Sequence, residues 1–188
     1  GMLSGEPETR DLCRNPLLLT ILTGLYLESE RFELPSSRER FYSECLNELL
    51  ERRPARRTIE QKVDPRHKKA VLQRAALDGL KSCREDADPE ALRRKDFLVH
   101  AKSRGLSEEQ VSVMLDELVE LNGIIKPTGE DAYVFAHRTI QEHLAAHEAA
   151  HECLPADVLE NFAGRTELYG VIHFYCGCAG NNPQVLEV

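Results

Sequence analysis

The sequence predicts a mainly α fold: a helical domain, then a winged helix-turn-helix with a small β-hairpin, then further helices. Apolar residues recur at helical spacing along most of the chain, as in Phe41, Tyr42, Cys45, Leu46, Leu49 and Leu50. After Gly123 the period changes. Gly123-Ile124-Ile125-Lys126 and Ala132-Tyr133-Val134-Phe135 are short β-like runs, and Thr128-Gly129-Glu130-Asp131 between them has hairpin-turn composition. Two helical stretches joined at Gly105-Leu106 come before the hairpin. Helix, turn, helix and hairpin in that order describe a winged helix.

The first helix is predicted to open at Asn15-Pro16, where Asn caps and Pro takes the first helical position, and to continue through Leu17 to Leu27. Ser36-x-x-Glu39 reads as a capping box for the second helix, which Pro54 ends. Arg56-Arg57 then begins a basic linker. Asp64-Pro65 caps a third helix that buries Val71, Leu72, Ala75, Ala76, Leu80 and Cys83. A polar stretch from Arg84 to Arg94 leads to two shorter helices, Asp96 to Arg104 and Ser107 to Leu121, the second with a Ser107-x-x-Gln110 capping box. His137 to Glu152 is helical again, and Pro155 to Ala179 suggests two more helices. The domain boundaries implied are 1–57, 58–152 and 153–188.

Composition bounds the function. At 188 residues, 41% hydrophobic and 30% charged, the chain reads as globular, with no apolar run long enough to span a membrane. The net charge of -8 disfavours nucleic acid as a partner. Between Glu51 and Arg74 the balance reverses, with nine basic residues against three acidic, which reads as a solvated linker. The six cysteines form no CxxC pair, and reduced thiols in a cytoplasmic protein account for them. Gly1 before Met2 reads as a tag-removal scar on a piece of a longer protein.

Two stretches carry a family resemblance. One is Asn15-Pro16-Leu17-Leu18-Leu19-Thr20, followed by Leu34-Pro35 and the helix from Phe41 to Leu50. The other is Tyr133-Val134-Phe135-Ala136-His137-Arg138-Thr139-Ile140-Gln141-Glu142-His143-Leu144-Ala145-Ala146. Together they resemble the C-terminal side of NACHT domains, in the STAND class of signalling NTPases, over roughly residues 10 to 150. His143 departs from the pattern, which has an aromatic residue there.

The resemblance implies a regulatory, nucleotide-sensing switch that sets closed (ADP) against open (ATP) states. Residues 1–57 would be the helical domain after the NTPase core, 58–152 the winged helix, and 153–188 the start of a further helical region. Pro16 matches the proline that packs on the adenine ring, and His137 the histidine that reaches the β-phosphate of ADP. The implied partner is the protein's own upstream P-loop domain, with self-association on activation. No glycine here is followed by Lys, so the phosphate-binding G-x-x-x-x-G-K-[ST] is missing. The fragment alone is expected to be no enzyme and to hold no cofactor and no metal. ADP or ATP with Mg²⁺ would belong to the intact parent.

Two rival readings arise from the residues. His147-Glu148-Ala149-Ala150-His151 is a literal HExxH, the helical motif of zinc metalloproteases. Against it stand the charge at Glu152 and the lack of a third ligand beyond the ad hoc choices Glu167 and His173. A winged-helix DNA reader is the other. Its groove-entering helix would carry Glu108, Glu109, Asp116, Glu117 and Glu120 with no Lys or Arg, which phosphates would repel.

Overall fold

Helix α1 spans Pro16–Glu28, with Pro16 at its first position as the sequence implies. The structure, a computed structural model, describes residues 16–28, 37–82, 92–152, 165 and 168–179. The expected cap at Asn15 lies outside them.

Helix α2 begins with Arg38–Asn47 and is capped by Ser37, whose hydroxyl accepts from the Arg40 amide at 3.1 Å. The N-cap therefore lies one residue after the expected Ser36, which is outside the described residues, and Arg40 at the third helical position cannot complete a capping box. Glu39, the predicted partner of Ser36, turns instead towards the distant residues His143 and His147.

Pro54 does not end α2. The helix widens into a π turn, Glu48–Arg52, and continues through Arg53–Arg56. A proline inside an α-helix clashes with the carbonyl four residues back and leaves it without a donor. Here the π turn relieves the clash, and side-chain amides replace the missing donor. Gln61 Nε2 donates to the Leu50 carbonyl at 2.8 Å, and Asn122 Nδ2 to the Leu49 carbonyl at 2.9 Å.

The basic stretch is a solvated linker only in part: residues 57–64 are mostly exposed turn and coil, while the residues on either side are helical. Arg52 pairs with Glu44 at 2.8 Å, Arg56 with Glu48, and Arg74 with Glu152. Lys68 is fully buried. Its ammonium meets Glu117 at 2.8 Å, Gln61 at 2.6 Å and Asn122 at 3.3 Å. Four of the nine basic residues thus have intramolecular acidic partners, while Arg57, Lys62 and Arg66 are exposed.

Helix α3, Pro65–Ser82, starts where Asp64 accepts from the Arg66 amide at 2.7 Å. Val71, Leu72, Ala75, Ala76 and Leu80 are buried as expected, while Cys83 lies outside the described residues. Strand β1, Leu92–Arg93, leads into α4, Arg94–Lys102, two residues earlier than expected. Asp96 caps that start by accepting from the Arg93 amide at 2.8 Å. Gly105, at φ 79°, makes the tight turn into α5. Helix α5 runs Glu108–Asp116 and closes with a π turn, Glu117–Leu121. The Ser107–Gln110 capping box forms as predicted.

Strands β2, Ile125–Gly129, and β3, Ala132–Phe135, form the hairpin, with Asp131 at φ 56° in its turn and a register shift between Pro127 and Gly129. The sheet is antiparallel in the order β1-β3-β2, and Leu92 pairs with Tyr133. The third strand makes the wing complete.

Helix α6, Arg138–His151, is the hub, packed between α3 and α7, Tyr169–Ala179. Every residue from Ile140 to Ala146 is buried. Of the two helices expected between Pro155 and Ala179, α7 falls among the described residues. One hydrophobic core joins α2, α3, α4, α5, α6 and α7. Among the described residues no helix is long and apolar enough to cross a membrane. Cys45 is a buried free thiol, pushed up to about 12 by burial, then by Glu44 and Glu48.

Candidate functional site

His137 lies at the junction of wing and hub. Ala136 extends the hairpin by donating to the Ile124 carbonyl at 2.8 Å. His137 itself is extended, at φ -140° and ψ 124°, and is the N-cap of α6. Its carbonyl accepts from Ile140 and Gln141 at 3.1 and 3.3 Å, but its imidazole makes no capping hydrogen bond. A histidine placed there merely to cap the helix would use its side chain to do so. Burial, and then the charge of Lys126 on β2, lower its pKa, so at neutral pH the ring is an uncharged donor. It is half-buried at a helix N-terminus, where the dipole favours an anion.

The residues after His137 hold the helix in place. The Thr139 side chain faces the Tyr42 hydroxyl of α2 and opposes the upward push of burial on its pKa. Arg138 pairs with Glu142 at 3.3 Å. Burial raises the Glu142 pKa, against the charges of Arg138 and Arg38. Arg38 stacks over Tyr42 and Phe174 at 5.9 and 5.0 Å from the ring centroids. Gly170 of α7 passes so close that any Cβ there would collide with the Glu142 carboxyl. Thr139 and Glu142 therefore serve the packing of α2, α6 and α7.

His143 packs as an aromatic ring. Its ring is fully buried, edge-to-face with Phe174 at 5.1 Å and tilted on Tyr42 at 5.9 Å. One turn on, the His147 ring lies 4.5 Å away. His147 Nε2 meets Glu39 Oε1 at 3.0 Å, and the Ser43 hydroxyl donates to the same oxygen at 2.9 Å. His143, then Ser43 and His147, hold the Glu39 carboxyl down at about 2 against burial. Burial, then His143 and Lys69, lower His147 to about 4, while Glu39 opposes them.

Both depressed values have the same sign in stability. The contribution of His147 is complete above 6.5 and is lost as pH falls towards 4, and that of Glu39 is complete above 4.5 and is lost towards 2. The urea midpoint is expected to drop across the upper range, and His147→Asn to flatten that drop. An equal slope in the variant would assign it elsewhere.

The HExxH residues line one groove, but among the described residues His147 and His151 do not come together with a third ligand as a zinc protease would need. His147 faces Glu39, Glu148 lies 3.7 Å from Arg74, and His151 is exposed at the last residue of α6. His173 is exposed on α7, and Glu167 lies outside the described residues. On α5, Glu108, Glu109, Asp116 and Glu120 are exposed, but Glu117 turns inward to Lys68. Pro16 sits on α1, away in sequence from the wing, and its side chain lies outside the described set.

Sequence reasoning missed Glu39, Ser43, Arg38 and Tyr42 as neighbours of α6. Their only signal is helical spacing, which cannot say which helix they meet.

The three-stranded wing, the helix pair before it and the helix after it define a winged helix-turn-helix domain. A family model of the winged helix-turn-helix domain C-terminal to NACHT matches residues 38–149, and the chain belongs to that family. The match takes in α2, which the sequence expectation assigns to the preceding domain. No curated protein and no solved structure matches the chain.

Proposed function

We propose that this domain is the conformational switch of a cytoplasmic NACHT-type signalling ATPase, closing on its own upstream P-loop domain when ADP is bound and releasing it on exchange for ATP. The observation that carries the reading is His137: a half-buried imidazole at a helix N-terminus, on the family's motif, that takes no part in capping. Its N–H would donate to the β-phosphate, and Pro16 would pack on the adenine ring. Release would free surfaces for self-association. Helix α1 supports a covering partner, since it carries no charge before Glu28 yet leaves Leu19 and Tyr26 exposed. The acids on α5 support a protein contact rather than DNA.

The fragment supplies at most accessory contacts, so the phosphate grip and Mg²⁺ would come from the upstream domain. The test is association in trans. The chain is expected to bind the separately produced P-loop domain at least about tenfold more tightly with ADP than with a non-hydrolysable ATP analogue, since a switch requires differential affinity. Equal affinity with both nucleotides would rule out the switch.

A further inference from the structure

We infer that Glu39, His143 and His147 form a structural site for a divalent first-row transition metal, zinc being the expected occupant, that clamps α2 to α6. One ligand atom of each residue lies within 4.8 Å of the other two. From Glu39 Oε1, His147 Nε2 is 3.0 Å away and His143 Nε2 3.9 Å. Zinc bonds of about 2.0–2.2 Å put tetrahedral ligands about 3.3–3.5 Å apart, so small side-chain adjustments close the shell. Two imidazoles and a carboxylate suit zinc and its neighbours, and disfavour calcium and magnesium, which take oxygen.

Hydrogen bonding alone leaves this cluster incomplete. His143 is fully buried, yet the shortest hydrogen bond of its Nε2 is the 3.4 Å contact with Ser43. The Ser43 proton is already given to Glu39 at 2.9 Å. A buried imidazole so weakly satisfied carries a desolvation cost that a metal bond would offset. The supporting parts are present. Ser43 orients the Glu39 carboxylate, as outer-shell donors do in metal sites. His147 also borders a surface groove that it lines with Gln73, Arg104, Glu148, His151 and Glu152. The side chains of His147 and Glu39 remain 27% and 22% exposed, so an ion can reach them.

This pair is offset by one helical turn from the HExxH. The expectation that the chain holds no metal weighs His147 with His151, whereas the fold sets His147 beside His143. Because His143 Nδ1 has no acceptor among the described residues to steady a metal-bound ring, the affinity is expected to be about 1 µM, some 10–100-fold below a fully supported site.

The experiment is calorimetric titration of zinc into the chelator-stripped 188-residue chain, with cobalt absorbance as a second readout. One site per chain is expected. Glu39→Gln and His147→Asn should each weaken it at least about tenfold while helical circular dichroism is retained, because each removes a direct ligand. His151→Asn breaks the HExxH but should leave the affinity unchanged. Three results would overturn the site: no binding up to about 0.1 mM zinc, far above the affinity expected, unaltered affinity in Glu39→Gln, or affinity lost in His151→Asn.

Discussion

Glu117→Ala is expected to lower the unfolding free energy by about 3–5 kcal/mol, because it strands a buried lysine. Glu117 receives the fully buried Lys68 ammonium at 2.8 Å and accepts from the Lys62 and Val63 amides at 2.6 and 3.4 Å. Burial already lowers the pKa of Lys68, and Glu117 is what raises it back. Without the carboxylate, only the neutral oxygens of Gln61 and Asn122 face the charge. A buried pair is costly to break but cheap to replace entirely. Lys68→Met in the Glu117→Ala background should therefore recover a large part of the loss. Urea unfolding at neutral pH measures both. A loss under about 1 kcal/mol, typical of a surface pair, or a double variant no more stable than the single, would contradict the account.

His137→Leu in the intact parent protein is expected to speed ADP release by about one to two orders of magnitude and to raise basal signalling. A hydrogen bond to a charged phosphate is worth roughly 1.5–3 kcal/mol even from a neutral donor. If that bond exists only in the closed state, the equilibrium between closed and open shifts by the corresponding factor. Leu keeps much of the volume, whereas Ala would add a cavity to the comparison. The melting temperature of the present chain should move far less than ADP release does, because the proposed phosphate partner lies outside it. Unchanged ADP release from a folded variant would make His137 a packing residue.

The fold class was legible because its signals are local. Apolar spacing marked α2, α3, α5 and α6, and Ser107 and Gln110 marked a helix start that the structure keeps. Strand β1 was not legible, since two residues, Leu92 and Arg93, show no period and gain meaning only by pairing with Tyr133 and Ala132. Pro54 misled for a related reason. Its local preference for ending a helix is overridden by amides from Gln61 and from Asn122, sixty-eight positions on. At the candidate site, His137 stood out by its motif. Glu39 looked like a capping residue, because nothing in its own helix reveals that α6 brings two histidines against it. The HExxH was a true spacing on the wrong turn: the same i, i+4 geometry holds for His143 and His147, and burial selects that pair.

The bridged carbonyls around Pro54 also have a mechanical consequence. Asn122 and Gln61 key the end of α2 to the start of α3 and the end of α5, so α2 and the winged helix share one rigid frame. Any swing of the wing must carry α2 with it as a lever arm, which moves Tyr42 and Thr139 together. These bonds work against a pivot between α2 and α3, within the basic stretch.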